Sequence, residues 1–458
     1  MKKFVASVGL VAIGAAAAHA QYAPGLTPLE MTKAWSLSAD LRGFYDDNYL
    51  TAPKDVRQST WGTEVSPSAA VNHSVQDTLF SASYVYDLRW YATHPAPGTS
   101  TDQSHQFNAR LEHEFSERYK IALNESFVIA QEPTVIDPTV ISTPLRVEGN
   151  NVRNTGQADF TASLTKLLDL HLGYGNTVYA YQQTAADVVG YPFSPLTGYS
   201  AFPGQATTPF EPSRSASLDR MEQVATLDLR WKIAPDTTGV FGYQFENVDY
   251  TSPEYIIYPD AALGTLPNGT LVEPGYLSKI RNNDQHFGFI GVDESFTPDL
   301  TASIRVGAEY LDYYNYHTTK AAPYVDANLT WQYTAQSTAQ VGVKQEHNAT
   351  DVTGYSVPVL DTDATALYAS VNHAITDRFT INAMGQAQWS TFNGGDEAGV
   401  GSIDGKSEDF YVIGVNLAYH FNPWFLTEAG YDYSKLNSEI IDRSYTRNQV
   451  YLGFRGTY

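Results

Sequence analysis

The chain has 458 residues, of which 43% are hydrophobic and 17% charged, with 50 Asp and Glu against 28 Lys and Arg and no cysteine. A formal charge of -22 excludes a nucleic-acid partner, because a phosphate-binding surface needs clustered Lys and Arg. The lack of Cys excludes disulfides and thiolate chemistry, and 13% aromatic residues is wrong for a disordered chain, yet the mean hydropathy of -0.30 is nothing like a membrane average.

The N-terminus is an export signal. Lys2 and Lys3 precede an apolar run over residues 4–18, and Ala18-His19-Ala20 offers small residues where a signal peptidase reads, which places cleavage after Ala20. Residues 1–20 are therefore the signal peptide, 21–34 a short periplasmic segment and 35–458 the folded body. Beyond Ala20 no window approaches the roughly 18 to 20 apolar residues of a spanning helix, so a membrane-embedded form must cross as strands.

From there on the chain repeats one unit. Segments of about ten to fourteen residues with alternating polarity are separated in turn by tight turns and longer polar loops, the pattern of consecutive hairpins. The tight turns read Gln76-Asp77-Thr78, Glu117-Arg118, Leu168-Asp169, Pro235-Asp236-Thr237, Pro298-Asp299, Gln336-Ser337, Thr376-Asp377-Arg378 and Asn422-Pro423. Asp, Asn and Pro suit these places because they hydrogen-bond locally or fix φ. The longer connections fall at 46–61, 93–103, 132–152, 184–218, 251–282, 315–321, 350–361, 393–406 and 436–444. Eight turns and nine loops give about eighteen strands.

The two faces of each strand differ. Val450, Leu452, Phe454 and Tyr458 share one side of the last strand, and Arg447, Gln449, Tyr451 and Arg455 the other. Ile413, Val415 and Leu417, Leu229 and Trp231, and Trp331 with Leu329 form similar apolar stripes. Strands this long, with one apolar face, suit a tilted crossing of a bilayer in which closure satisfies every backbone group. The fold is thus an all-β, antiparallel, up-and-down transmembrane barrel, and only half of each strand needs to be apolar. Trp35, Tyr119, Phe379 and Trp424 near the turns, and Tyr45, Trp61 and Trp90 near the loops, are placed for two aromatic girdles. One residue breaks the pattern: alternation puts Glu125 on the apolar face with Ile121 and Leu123, a costly position unless a bulge intervenes.

Arg42-Gly43-Phe44-Tyr45-Asp46-Asp47-Asn48-Tyr49, followed by Glu64-Val65-Ser66-Pro67, resembles the opening of the putative β-barrel porin family, a group of Gram-negative outer-membrane proteins. Tyr458, with apolar residues at alternate positions before it, is similar to the C-terminal strand signal that outer-membrane barrels present to their insertion machinery. The resemblance implies an integral outer-membrane location and a pore-like role, and it carries over no catalytic or ligand residue.

The inward faces collect charge of both signs: Asp40, Arg42, Asp87, Arg89, Arg110, Glu112, Glu114, Asp228, Arg230, Lys232, Glu246, Arg305, Glu309, Asp326, Lys344, Glu346, Glu428, Asp432, Arg447 and Arg455. In a water-filled lumen such groups stay ionised and orient polar solutes. The alternative is a lumen stitched shut by the same groups. Either of the loops 184–218 and 251–282 could fold inward as a constriction. Weaker candidates are oxygen clusters for Ca²⁺ at Asp46, Asp47 and Asn48, at Asp361 with Asp363, and at Asp396, Glu397 and Asp404. None has the spacing of a known Ca²⁺ loop. Gly405-Lys406-Ser407 does not complete a phosphate loop, because Val400 stands where its first Gly belongs. A lipid-facing Ser–His pair would signal a barrel hydrolase, but His113 has no such Ser, and His171 is of ambiguous register.

The expectation is a channel for passive diffusion of small hydrophilic solutes, without catalysis or cofactor, in contact with lipid, lipopolysaccharide and the insertion machinery. A polysaccharide porter and a non-conducting structural or adhesive barrel are the alternatives.

Overall fold

The computed structural model describes residues 33–93, 100–130, 150–185, 212–257, 275–354, 356–397 and 401–458. Residues 1–32, which hold the expected signal peptide and most of the expected periplasmic segment, lie outside them. The barrel strands, numbered in chain order, are β1 (Trp35–Asp46), β2 (Thr60–Val75), β3 (Thr78–Tyr91), β4 (Thr101–Ser116), β5 (Tyr119–Ala130) and β6 (Asn151–Ser163). Next come β7 (Leu168–Tyr181), β8 (Arg220–Lys232), β9 (Thr237–Tyr250), β10 (Asn283–Thr297), β11 (Leu300–Tyr313) and β12 (Thr318–Thr334). The last are β13 (Ser337–Asn348), β14 (Val359–Ala374), β15 (Phe379–Gly394), β16 (Ser407–Asn422), β17 (Phe425–Ser438) and β18 (Tyr445–Thr457). All eighteen form one sheet of antiparallel neighbours, and β1 closes it by pairing with both β2 and β18, with Trp35 opposite Val71 and Asp40 opposite Arg455. Closure leaves no open edge, so every strand has a partner on each side.

Local chemistry explains the irregularities. The ladder between β2 and β3 skips Ser66 and Pro67, where proline has no N–H to give. The turn expected at Leu168-Asp169 lies instead at 164–167, because the Thr165 hydroxyl oxygen accepts the N–H groups of Leu167 (3.2 Å) and Leu168 (3.0 Å) and reverses the chain earlier. The connection expected at 315–321 is shorter, 314–317: His317 adopts φ 56°, and Thr318 to Ala321 pair at once with Tyr313 to Tyr310.

Polarity follows the pleat. On β1 the odd-numbered residues are exposed, Trp35, Leu37, Leu41 and Tyr45 among them, while Ser36, Asp40, Phe44 and Asp46 are buried. Leu229, Trp231, Trp331, Ile413, Leu417, Leu452, Phe454 and Tyr458 are all exposed on the outer wall, and Val415 shares that face with Ile413. Aromatic rings mark both rims: Trp35 meets Tyr458 at 5.6 Å near the turn end, and Trp61 meets Trp90 at 5.3 Å near the loop end. Among the described residues no helix is long and apolar enough to cross a membrane.

Glu125 keeps its register. It stands opposite Ala109 and Gly156 on the outer wall, with no bulge beside it, and Asn154 donates a hydrogen bond to its carboxylate. A Cβ on Gly156 would come within 3.0 Å of that carboxylate, so the glycine supplies the space in which the pair sits.

Candidate functional site

The charged residues assigned inward all alternate with the exposed apolar set, and the sheet arranges many of them in rows. Arg42 lies directly opposite Glu64, and Glu64 opposite Arg89, so charge alternates across β1, β2 and β3. Arg89 donates to Glu64 at 2.9 Å and stands 3.5 Å from Asp87, while Arg42 reaches Glu64 at 3.4 Å and Asp40 at 3.5 Å. Arg42 also donates to Glu428, two strands away on β17. It can do so because the residue between them is Gly453, where a Cβ would meet the Arg42 side chain at 2.6 Å. Asn416 donates to Glu428 (3.1 Å) and to the Tyr451 hydroxyl (2.8 Å), and the Arg42 guanidinium lies 4.7 Å from the Tyr451 ring. Asp432 and Arg455 belong to the same wall, and Arg447 closes its loop end on Asp46 at 2.6 Å.

The facing wall repeats the device. Arg305, Asp326 and Lys344 stand in one row across β11, β12 and β13. Asp293 accepts from Arg305 (2.7 Å) and from Arg230, and Lys344 pairs with Glu346 at 2.5 Å. Lys232 pairs with Asp169 at 2.8 Å, Arg110 with Glu112, and Lys120 with Glu112 (3.1 Å) and Glu114 (3.7 Å). His171 points inward, 3.1 Å from Asp159 and 3.4 Å from Asp228, and His113 sits outward against the Thr78 hydroxyl at 2.8 Å.

Above these walls, at the long-loop end, four connections meet in a gate. A short helix, α1 (Arg214–Leu218), lies between β7 and β8 with all five residues buried, capped by Ser213, which accepts from the Ala216 N–H. Arg214 reaches Asp351 in the β13–β14 connection at 3.4 Å. Asp351 also pairs with Arg443 of the β17–β18 connection at 2.7 Å, and Arg443 donates to Glu408 at 2.5 Å. Burial opposes the charge on Arg443, but Asp351 and Glu408 outweigh it and hold the guanidinium protonated. Arg281, from the β9–β10 connection, donates to the carbonyls of Ser217 (3.2 Å), Thr350 (3.0 Å) and Val352, tying α1 to the β13–β14 loop; burial pushes its guanidinium down. In a ring of eighteen, β8 and β17 are nine strands apart, so the chain of contacts from Arg214 to Arg443 joins opposite sides of the lumen. Of the two loops expected to constrict, the described ends of both turn inward and meet.

Beneath the gate is a cavity of about 150 Å³ bounded by residues of β7 to β11, β13 and β14. Glu222, Glu246, Glu346 and Asp361 line it, with Arg220 and His347 as the basic groups and Tyr179, Tyr250, Phe287 and Tyr313 as rings. Asp361 is a correction: expected in an exposed acidic loop with Asp363, it is buried at the head of β14, just past a register shift that follows Val359.

The other acidic loop residues serve as local staples. Asp47 accepts from the Asn448 backbone and side chain at 2.7 Å, Asp396 from the N–H groups of Ser356 and Val357 at 2.7 Å, and Asp404 from the Gly394 N–H at 2.7 Å. Among the described residues no three His, Asp or Glu are grouped to hold a metal ion. Sequence reasoning missed Glu64, Asp293, Asp351, Glu408 and the gate arginines 214, 281 and 443. Glu64 and Asp293 were legible from strand alternation, but the gate residues sit on loops, where no periodicity marks the inward face.

A closed barrel of eighteen strands, apolar outside, charged inside and narrowed by inturned loops, has the fold of outer-membrane porins. More particularly, residues 281–458 match the family model described as "Putative beta-barrel porin 2", which bears out the resemblance. The match includes Tyr458 but not the stretches at Arg42 and Glu64. Three solved structures have similar barrels. OpdK from Pseudomonas aeruginosa, crystallised with vanillate, is 8% identical over 93% of this chain and 99% of its own, with a TM-score of 0.45. A BenF-like porin from Pseudomonas fluorescens Pf-5 is 10% identical over 93% and 99%, with a TM-score of 0.43. OccAB4 from Acinetobacter baumannii is 10% identical over 94% and 100%, with a TM-score of 0.42. Likenesses this distant carry no argument about a solute. No curated protein matches the chain.

Proposed function

We propose that the protein is a narrow channel for passive diffusion of small hydrophilic solutes across the outer membrane of a Gram-negative bacterium. The gate is the observation that carries this reading: a contact chain from Arg214 through Asp351 to Arg443 crosses the bore, which suits small solutes and disfavours a polymer. Below it the inner walls carry both signs of charge, as a wet lumen allows. Diffusion needs no catalytic residue and no cofactor. The outer wall meets lipid and lipopolysaccharide, and the strand ending at Tyr458 is the part offered to the insertion machinery.

A second reading, a lumen stitched shut, is favoured by the burial of Glu64, Asp87 and Arg89. Planar-bilayer recording of the refolded mature protein separates the two. Small ohmic steps that grow when Asp351→Ala loosens the gate support a channel. Silence in both forms, with heat-modifiable migration proving that each is folded, refutes it.

A further inference from the structure

Most lumen carboxylates have a basic partner, but the cavity under the gate is short of them. Glu222 is matched by Arg220 at 2.7 Å and Glu346 by Lys344, whereas among the described residues Glu246 and Asp361 have no ion pair. His347, the remaining basic group at the cavity, is engaged by Glu309 at 3.0 Å. Asp361 is 4% exposed, and while one of its oxygens accepts from Asn393, the other has no hydrogen-bond partner among the described residues. The Tyr313 hydroxyl is fully buried at the same cavity and, like the Asn348 amide nitrogen, has no partner among the described residues either. Burying such groups unsatisfied costs about 1–3 kcal/mol each, so a cavity that gathers three of them favours an occupant that hydrogen-bonds to them.

The lining states what the occupant must offer. Two carboxylates outside ion-pairing distance of any described cation suit a cation that donates hydrogen bonds. The Asn348 amide asks for an acceptor, and the Tyr313 hydroxyl can take either role. The Phe287 and Tyr250 rings add faces on which a cation or a sugar-like ring can rest. A bare metal ion does not fit, since among the described residues no three carboxylates or histidines converge.

We propose that this cavity is a binding site for a small protonated amine carried on a hydroxylated skeleton, of the amino-sugar class. The ammonium lies between Glu246 and Asp361, and skeleton hydroxyls satisfy Tyr313 and Asn348. This rests on the channel reading and names a solute that the lumen retains on its way through.

Glucosamine and glucose are the test pair, differing in one ammonium for one hydroxyl. Binding to the full-length mature protein in detergent is measured by titration calorimetry, alongside block of single-channel current in bilayers. Glucosamine should bind and interrupt current where glucose does not. E246Q and D361N, each checked for heat-modifiable folding, should weaken glucosamine about tenfold, the worth of one charge-assisted hydrogen bond. Equal behaviour of the two sugars, or unchanged glucosamine affinity in both folded variants, overturns the site. Ohmic current with no glucosamine binding sinks the site and leaves the channel standing, whereas binding lost in the two variants without any current upholds the site and sinks the channel.

Discussion

The wall around Arg42 and the gate around Asp351 both bury arginine against carboxylate, yet they are assembled in opposite ways. In the wall the partners are neighbours in the sheet: Arg42 faces Glu64 and Glu64 faces Arg89 because the ladder puts them there. Each charge has several partners, so the loss of one leaves others. In the gate the partners come from connections far apart in sequence, 137 residues for Arg214 with Asp351 and 92 for Asp351 with Arg443. No ladder enforces these contacts. A wall of this kind tolerates substitution, and a gate of this kind depends on single residues.

Arg443→Met should have the largest effect. It takes the guanidinium from Asp351 and Glu408 together, and leaving buried charge uncompensated costs about 3–5 kcal/mol. The expected outcome is a folded barrel whose loops become protease-sensitive and whose conductance rises. An unchanged digestion pattern would place the gate's hold elsewhere. Next in size is the outer wall, on which both assemblies depend for their facing. Leu452→Arg or Phe454→Arg should cost about 2–4 kcal/mol and abolish the heat-modifiable species in membranes, while Gln449→Arg on the inner face is tolerated. Equal tolerance on the two faces would contradict the facing.

Asn154→Leu removes the donor that serves Glu125 on the apolar wall and should destabilise the barrel by about 1–3 kcal/mol in urea titration of the refolded protein; adding Glu125→Leu should restore it. If the double variant is no more stable than the single one, the pair is not what holds the carboxylate there. The smallest effect belongs to the wall. Glu428→Gln leaves Arg42 with Glu64 and Asp40 and keeps a side-chain oxygen to accept from it, so stability should fall by about 1 kcal/mol and conductance should stay within recording scatter. A loss as large as that of Arg443→Met would erase the distinction between wall and gate.

Alternation made the barrel readable. Leu452 and Phe454 outside, with Gln449 and Arg455 inside, follow from a period of two residues, and the same period placed Arg305, Asp326 and Lys344 on one wall. It also put Glu125 on the apolar face, correctly, but could not reveal Asn154 as its partner, because that contact needs the β5–β6 register. Turns were less secure. Leu168-Asp169 has the composition of a turn, but the Thr165 hydroxyl decides where the chain reverses.

The cavity and the gate were out of reach for a related reason. Asp361 and Asp363 read as a solvated acidic loop until a register shift and the neighbouring connections bury the first of them. Polarity along the chain was enough for a closed barrel of about eighteen strands and for its two faces, because backbone hydrogen bonding and a two-residue pleat tie each residue's environment to its position along the strand. Only the tertiary structure decided which loops turn inward and which carboxylates find a cation, because loop contacts obey no period and are settled by packing between segments from opposite sides of the ring.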